Sequence, residues 1–262
     1  ISVGKMFIAG ALPGILMGVA MMITAWIIAR RRNFPRQPWQ GFGELGKAFL
    51  GAFWAVAMTA FIVGGLLIGF ATPTETAVVA SIYAFVVGAF VYRGLELRDV
   101  PRIVIDSAVS AAAILVLVGL ANVFGWILVS ERIPQMIADS VLSVTDNKFL
   151  VILLINLVLL FVGMFMETIA ALIILFGPLL ALATGVGVDP LHFAVFAVLN
   201  LMIGLTTPPV GVCLFICADI GRVSLWQVTR AIGPFILTNI IVLLLVSYIP
   251  FFSTWLPSLL SN

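Results

Sequence analysis

Apolar residues along the chain gather into long runs, and short polar segments separate those runs. A helix needs roughly 20 consecutive apolar residues to cross the hydrocarbon core of a bilayer. Runs near that length lie at about 7–29, 48–70, 76–92, 103–129 and 233–250. The pattern therefore predicts a series of membrane-spanning helices.

A polar centre interrupts the apolar region 148–188. Met166, Glu167 and Thr168 divide this region into two arms, and each arm is short for a helix that crosses a membrane. The pattern favours a re-entrant hairpin, in which two short helices enter and leave on the same membrane face. Two ordinary spans are the alternative.

Two adjacent prolines interrupt the next apolar region, 191–218. They lie in the segment Gly204-Leu-Thr-Thr-Pro-Pro-Val-Gly211 and remove two backbone donors, so the helix breaks there. In lipid, broken backbone is tolerated only where protein or a water-filled cavity receives the freed polar groups. Broken helices near the membrane midplane are typical of the ion and substrate sites of secondary transporters. We therefore predict a discontinuous helix and a transport function.

Two polar segments predict short helices or links at the membrane surface. Gly221–Arg230 is predicted as a short amphipathic link before the last span. Between 130 and 147, apolar residues recur at helical spacing, which predicts an interfacial helix with one apolar face formed by Ile133, Met136, Ile137, Val141 and Leu142.

Composition and charge agree with this layout. The chain is 63% hydrophobic and 9% charged, with a mean hydropathy of +1.27, whereas a soluble domain has about 25% charged residues. The loops on the cytoplasmic side of a membrane protein carry an excess of Lys and Arg. If 148–188 begins and ends on the outer face, most cations fall on the opposite side: Arg30, Arg31, Arg32, Arg36, Lys47, Arg93, Arg98, Arg102, Arg222 and Arg230, against Lys5, Arg132 and Lys148.

Polar residues inside the interrupted regions are the candidates for chemistry. A carboxylate within an apolar segment is costly, so Glu167 is a functional candidate, with a helix cap as the alternative. Thr206 and Thr207 place hydroxyls where the prolines free upstream carbonyls, and hard cations prefer several oxygen ligands. The half-helix that starts near Pro209 directs its positive end into the same place, which suits an anionic substrate. Asn200 either joins this site or bonds a neighbouring helix.

Other polar residues have structural interpretations. Thr72-Pro73-Thr74-Glu75 fits a capping box at a helix start. We expect His192 to be solvated at the start of its helix. We expect Asn122, Asn156 and Asn239 to form hydrogen bonds between helices.

Three segments, taken in order, resemble the large membrane subunit of tripartite ATP-independent periplasmic (TRAP) transporters. They are the segments 69–77, 163–168 and 204–211, and the early Gly-x-Leu-Pro-Gly of 10–14 adds to the resemblance. The resemblance implies an all-α polytopic protein of the bacterial inner membrane. It also implies one inverted-repeat half of an elevator-type transporter, with a re-entrant hairpin and a discontinuous helix.

The same resemblance implies a division of the chain and a set of partners. Residues 1–147 would be mainly scaffold-type transmembrane helices and interfacial arm helices, 148–218 the transport-type hairpin and broken helix, and 219–262 an interfacial link and the final transmembrane helix. The implied function is sodium-coupled import of an organic acid such as sialic acid or a C4-dicarboxylate. The implied partners are a periplasmic substrate-binding protein, a small four-helix membrane subunit, the N-terminal half of the same subunit, which is missing here, and the lipid bilayer, with no nucleic acid.

The resemblance also implies the residues of the site, with Na⁺ as the only metal. At the hairpin tip this chain has Glu167 where many relatives have aspartate, so the carboxylate could act on the ion indirectly. The implied sodium ligands, several through backbone carbonyls, are Glu167, Thr168, Leu205, Thr206, Thr207 and Val210. The implied substrate-binding residues are Asn200, Gly204, Pro208 and Pro209.

Other functions stay open on the sequence. One alternative is a carboxylate–sodium symporter that works without a binding protein, and another is a non-transporting membrane scaffold subunit. A membrane enzyme is disfavoured, because the sequence has no His-Glu-x-x-His, Gly-x-Ser-x-Gly or phosphate-loop pattern.

Overall fold

The computed structural model describes residues 2–35, 41–68 and 72–260, and their regular secondary structure is helical. A π-helical turn, Val87–Val91, extends the third helix, and a 3₁₀ turn, Leu97–Asp99, precedes the fourth. The helices are α1 (Val3–Arg31), α2 (Phe42–Ile68), α3 (Pro73–Val86), α4 (Val100–Ser130), α5 (Ile133–Val144), α6 (Lys148–Gly163), α7 (Thr168–Gly185), α8 (Pro190–Gly204), α9 (Val212–Gly221), α10 (Leu225–Tyr248) and α11 (Phe251–Leu260).

Six of these helices are long and apolar enough to cross a membrane, by length and composition: α1, α2, α3 with its π turn, α4, α7 and α10. This confirms the predicted all-α polytopic fold. The predicted break is also present, because α8 ends at Gly204 and α9 begins at Val212. The two arms of the predicted hairpin are α6 and α7, joined by Met164–Glu167. Its return to one membrane face stays a prediction.

The helices group into two compact units, which we describe separately. In the unit formed by Ser2–Phe7 and Arg32–Ile114, α2 contacts α3, and the Tyr83 hydroxyl donates to the carbonyl of Trp54 at 2.9 Å. The predicted capping box starts α3: the Glu75 amide donates to Thr72 Oγ1, and the Thr72 amide donates to Glu75 Oε2. The first residues of the 69–77 motif, 69–71, lie outside the described residues.

The second unit contains Ile8–Arg31 and Leu115–Asn262, and it carries most of the buried side chains. Its core lies where α6, α7 and α10 surround α8, because α8 has apolar side chains on every face. Phe193, Phe196 and Leu201 of α8 are fully buried, and Ile155 and Leu159 of α6 pack there with them. This unit also contains the hairpin and the discontinuous helix.

The short helix α5 confirms the predicted helix between 130 and 147. It contacts α7, where Leu142 lies against Gly185. Met136, predicted on the same apolar face, is 62% exposed, and the placement of this face at the membrane surface stays a prediction.

Two predictions at the C-terminal end were wrong. The predicted link Gly221–Arg230 is shorter than expected, because Ser224 and Gln227 form a capping box and α10 starts at Leu225. The helix α11 was not predicted, and it brings Ser253 to His192. His192 is therefore 1% exposed rather than solvated, with its ring nitrogens bonded to the Ser253 hydroxyl and the Ser247 carbonyl.

Candidate functional site

Glu167 ends the four-residue tip between α6 and α7 and serves as the N-cap of α7. Its Oε2 accepts hydrogen bonds from the backbone amides of Ile169 at 2.8 Å and Ala170 at 3.2 Å. A negative charge at a helix N-terminus is favourable, since it satisfies free amides and opposes the helix dipole. Its other oxygen, Oε1, has no hydrogen-bond partner among the described residues, so the cap leaves one oxygen for a cation.

Thr168 connects the start of α7 to α8. Its side chain is buried, and its Oγ1 lies 4.0 Å from the sulfur of Met202. The hairpin tip therefore lies beside the C-terminal half of α8, as a shared site would need.

Two threonine hydroxyls in the loop between α8 and α9 have the same acceptor. Thr206 Oγ1 and Thr207 Oγ1 each donate to the carbonyl of Ile203 at 2.8 Å. A hydroxyl that donates its proton keeps two lone pairs on its oxygen. Both oxygens can therefore act as ligands for a cation while the hydroxyls hold the end of α8.

The backbone carbonyls of this loop differ in how they are used. The Leu205 carbonyl accepts from the Cys213 amide at 3.2 Å, so this predicted sodium ligand is already engaged through one lone pair. The carbonyls of five other loop residues accept no hydrogen bond from the described residues. They belong to Thr206, Thr207, Pro208, Pro209 and Val210. The peptide bond between the two prolines is cis.

The hairpin tip and the loop touch through backbone atoms. The Gly211 amide donates to the carbonyl of Met164 at 3.3 Å. Gly211 has a φ of +54°, and a Cβ there would lie 2.8 Å from Leu214 Cδ1 and 3.0 Å from the Thr207 carbonyl oxygen. This position therefore needs glycine for its conformation and for its space.

A second glycine contact lies just before the loop. A Cβ on Gly204 would lie 2.6 Å from the carbonyl carbon of Gly163, so α6 and α8 meet at backbone distance. The face of Gly204 that lacks a side chain is thus filled by α6. Its predicted role in substrate binding stays a prediction, as do those of Pro208 and Pro209.

Asn200 forms the interhelical hydrogen bonds that were one of its two predicted options. It is fully buried, and its Nδ2 donates to the Asn156 carbonyl at 2.9 Å and to Asn156 Oδ1 at 2.8 Å. This confirms Asn156 as an interhelical partner. Asn239 is buried on α10 with an unpaired Oδ1, and the side chain of Asn122 lies outside the described residues.

Sequence reasoning missed the groups that take part through the backbone or through distant packing. These are the carbonyls of Ile203 and Met164 and the hydroxyl of Ser247, which donates to Asn156 Oδ1 at 3.3 Å. The side-chain type of Ile203 or Met164 carries no signal for such a role. A serine in an apolar helix could have indicated Ser247.

The donor set of the tip and loop consists of oxygen atoms. Two hydroxyls, five unpaired carbonyls and one carboxylate oxygen suit a hard cation, and the single negative charge suits a monovalent one. Within the described ranges, no group of three or more His, Cys, Asp or Glu side chains could hold a metal ion. The N-terminus of α9 adjoins the loop and directs the positive end of its dipole there, while the amides of Cys213 and Leu214 already donate to Leu205 and Gly211.

Comparison with known proteins identifies a family profile and several relatives. The profile of "Tripartite ATP-independent periplasmic transporter, DctM component" matches residues 1–252. The sialic acid TRAP transporter large permease protein SiaM of Vibrio cholerae is 40% identical over 258 residues, which are 98% of this chain and 60% of that protein. The C4-dicarboxylate TRAP transporter large permease protein DctM of Rhodobacter capsulatus is 34% identical over 259 residues, which are 99% of this chain and 59% of that protein.

A more distant relative is named for another organic acid. The 2,3-diketo-L-gulonate TRAP transporter large permease protein YiaN of Escherichia coli is 32% identical over 250 residues, which are 95% of this chain and 59% of that protein. The chain thus spans about 60% of the length of the curated relatives it matches.

Proposed function

Because the chain belongs to the DctM component family of tripartite ATP-independent periplasmic transporters, we propose that it forms the cation and substrate site of a large permease subunit that imports an organic acid. The chain is a multi-pass protein of the inner membrane. One observation carries the proposal. The loop between α8 and α9 presents unpaired oxygens and touches the hairpin tip through the bond from Gly211 to Met164.

Sodium is the proposed coupling ion. The proposed ligands are the hydroxyls of Thr206 and Thr207, the carbonyl of Val210 and the free oxygen of Glu167. Leu205 would contribute through the second lone pair of its carbonyl, and Thr168 through its hydroxyl at the start of α7. These oxygens would replace water around the ion, and only one of them belongs to a charged group. Such a weakly charged site suits an ion that must be released on the inner side.

An anionic organic acid is the proposed substrate. The relatives are named for sialic acid, a C4-dicarboxylate and 2,3-diketo-L-gulonate, all of which are organic acids. The N-terminus of α9 would attract the carboxylate through the positive end of its helix dipole, which adjoins the loop. Pro208 and Pro209 would shape the wall beside it.

The word tripartite in the family name supports two further partners, which we propose here. A periplasmic substrate-binding protein would deliver the acid, and a small four-helix membrane subunit would complete the membrane part. The relatives are longer than this chain, so the remainder of the large subunit would contribute the other half of the transport unit.

Uptake into proteoliposomes tests this proposal. The chain within its complete large subunit, the small subunit and the binding protein would be reconstituted, and radiolabelled sialic acid, succinate and diketogulonate would be offered with an inward gradient of sodium or of choline. We expect uptake of one acid only with sodium and only with the binding protein. Sodium-driven uptake without any binding protein would support the independent symporter instead. The absence of uptake of every acid, from a stably assembled complex, would contradict a transport function.

A further inference from the structure

Asn156 and Asn200 form a buried polar contact between two otherwise apolar helices. Asn200 is 0% exposed and Asn156 4% exposed, and two hydrogen bonds of 2.8 and 2.9 Å join them. Asn156 also donates to the Ile152 carbonyl at 3.0 Å and accepts from the Ser247 hydroxyl. The contact carries a cost, because Asn200 Oδ1 is buried without a partner among the described residues.

The helices α6 and α8, which the asparagines join, also carry the backbone contacts of the site. Along α6 the chain runs from Asn156 to Gly163, and along α8 from Asn200 to Gly204, so both helices run in the same direction where they touch. The separation from asparagine to glycine is roughly 10 Å on α6 and roughly 6 Å on α8, at the rise of a regular helix. The helices are thus in contact both at the asparagine pair and at the glycine pair, and Gly163 directly precedes Met164, which accepts from Gly211.

We propose that Asn156 and Asn200 are positioning residues, which fix the register of α6 against α8 and thereby hold the hairpin tip at the cation-binding loop. Apolar contacts and the glycine pair permit close approach but have little directional preference. The two hydrogen bonds from the Asn200 side chain, to the carbonyl and to the side chain of Asn156, are satisfied together in one register only. Buried asparagines fix helix register elsewhere at a cost in stability. A slip of one helical turn would move Gly204 away from Gly163 and Gly211 away from Met164. The expected effect on sodium affinity rests on the proposed sodium site. The expected effect on the contact between the tip and the loop does not.

The structural consequence can be measured without sodium. Hydrogen exchange, read by mass spectrometry on peptides that cover Leu205–Leu214, reports the Gly211 amide that bonds to Met164. In the full transporter, Asn200→Leu should speed exchange in this segment by about 5-fold or more, as expected when one buried hydrogen-bond pair is lost. Asn239→Leu is the matched control, because Asn239 is also a buried asparagine with an unpaired oxygen but lies on α10. It should leave the exchange of Leu205–Leu214 unchanged.

The functional consequence is a change in sodium requirement without a loss of maximal uptake. If only a fraction of molecules has the competent register, the apparent sodium affinity falls by that fraction, and saturating sodium restores the register. Asn156→Leu and Asn200→Leu should each raise the half-saturating sodium concentration by about 5-fold or more, with maximal uptake near the wild-type value. Asn200→Ala, which removes the donor without adding bulk, serves if the leucine variants fail to assemble.

Three results would overturn the proposal. One is unchanged exchange of Leu205–Leu214 in folded Asn200→Leu or Asn200→Ala. Another is lower maximal uptake at an unchanged sodium requirement, which is what a merely structural residue would give. The third is an equal effect from Asn239→Leu. If the wild-type transporter shows no sodium dependence, the proposed function fails, and the exchange measurement alone still decides on the register.

Discussion

Thr207 combines a structural bond with a free oxygen. Its hydroxyl donates to the Ile203 carbonyl, which also accepts from the Thr206 hydroxyl and amide, so the end of α8 does not depend on Thr207 alone. The prolines and threonines of the sequence were therefore enough to predict an oxygen-rich loop. The sequence could not predict which carbonyls stay unpaired, because the bond from Cys213 to Leu205 depends on how the loop folds back.

Removing the Thr207 hydroxyl should weaken sodium binding while the fold persists. In the intact transporter, loss of one neutral ligand costs on the order of 1–2 kcal/mol, or about a 5- to 30-fold rise in the sodium concentration for half-maximal uptake of Thr207→Ala. Thr207→Ser keeps the hydroxyl and is the control, with a sodium curve close to that of the wild type. An unchanged sodium curve with lower maximal uptake in Thr207→Ala would make Thr207 a packing residue.

Glu167 can be tested by separating its charge from its capping oxygen. Glutamine keeps an oxygen that can accept from Ile169 and Ala170 but has no charge, so Glu167→Gln should retain the helix cap and raise the sodium requirement. Glu167→Asp returns the carboxylate that many relatives are expected to carry, and its sodium curve should stay close to that of the wild type or shift to lower concentrations. Uptake against sodium concentration measures both.

Glu75→Gln is the matched control for the charge. Glu75 also caps a helix through its carboxylate, but in the other unit, at the start of α3. It should leave the sodium curve unchanged. A wild-type sodium curve for Glu167→Gln would rule out an ionised ligand and leave Glu167 with the cap alone.

At the scale of helices, the α6–α8 contact depends on how closely two backbones approach. A Cβ on Gly204 would meet Gly163 backbone atoms at 2.6–2.7 Å, whereas a Cβ on Gly163 would meet Gly204 and Leu201 backbone atoms at 3.2–3.3 Å. The first clash cannot be relieved by a side-chain movement, because backbone atoms cause it. The second requires a shift of only a few tenths of an ångström.

The two glycines should therefore differ in how they respond to alanine. Gly204→Ala should destabilise the protein by about 1–3 kcal/mol, as overpacking does, and Gly163→Ala should cost less. Gly18→Ala is the control on α1, where no heavy atom would lie within 4 Å of the new Cβ, and it should be neutral or stabilise through helix propensity. Thermal unfolding in detergent, followed by circular dichroism, gives the order of the three stabilities. Equal melting temperatures for Gly204→Ala and Gly18→Ala would contradict the close contact.

Helix positions were predictable where length, hydropathy and prolines determine them. The break between α8 and α9 follows from Pro208 and Pro209, and the start of α3 follows from its capping box. The start of α10 was missed although Ser224 and Gln227 carry the same signal. α11 was missed because it is a short apolar segment after Pro250, and the burial of His192 was missed with it, since only tertiary packing brings α11 to α8.

At the scale of the whole molecule, charge predicts which ends of the helices share a membrane face. Few cations lie near the start of α6 and the end of α7, whereas more cations follow α1 and α9. This distribution agrees with a location of the start of α6 and the end of α7 on the periplasmic face. Charge gives the same sidedness for a re-entrant hairpin and for two full crossings. The position of the tip must decide between them.

Labelling of the tip with an impermeant thiol reagent distinguishes a re-entrant hairpin from two full crossings. In a background where Cys213 and Cys217 are replaced by alanine, single cysteines would be placed at Asp146, Thr184, Phe165 and Arg222, all exposed positions in the structure. Asp146→Cys and Thr184→Cys should react only from the periplasmic face and Arg222→Cys only from the cytoplasmic face.

Phe165 is the position that distinguishes the hairpin from two spans. It lies in the tip, is 49% exposed, and can be replaced without removing the helix cap that Glu167 provides. A hairpin tip that lies beside the cation-binding loop should react slowly at Phe165→Cys, and the rate should fall further when sodium and the transported acid are both present. The helices on either side of the tip, α6 and α7, would in a crossing pair bring Phe165 to the cytoplasmic surface. Fast labelling from the cytoplasmic face, at a rate independent of sodium and substrate, would therefore show two ordinary spans, and with them a loop between α8 and α9 that the tip does not close.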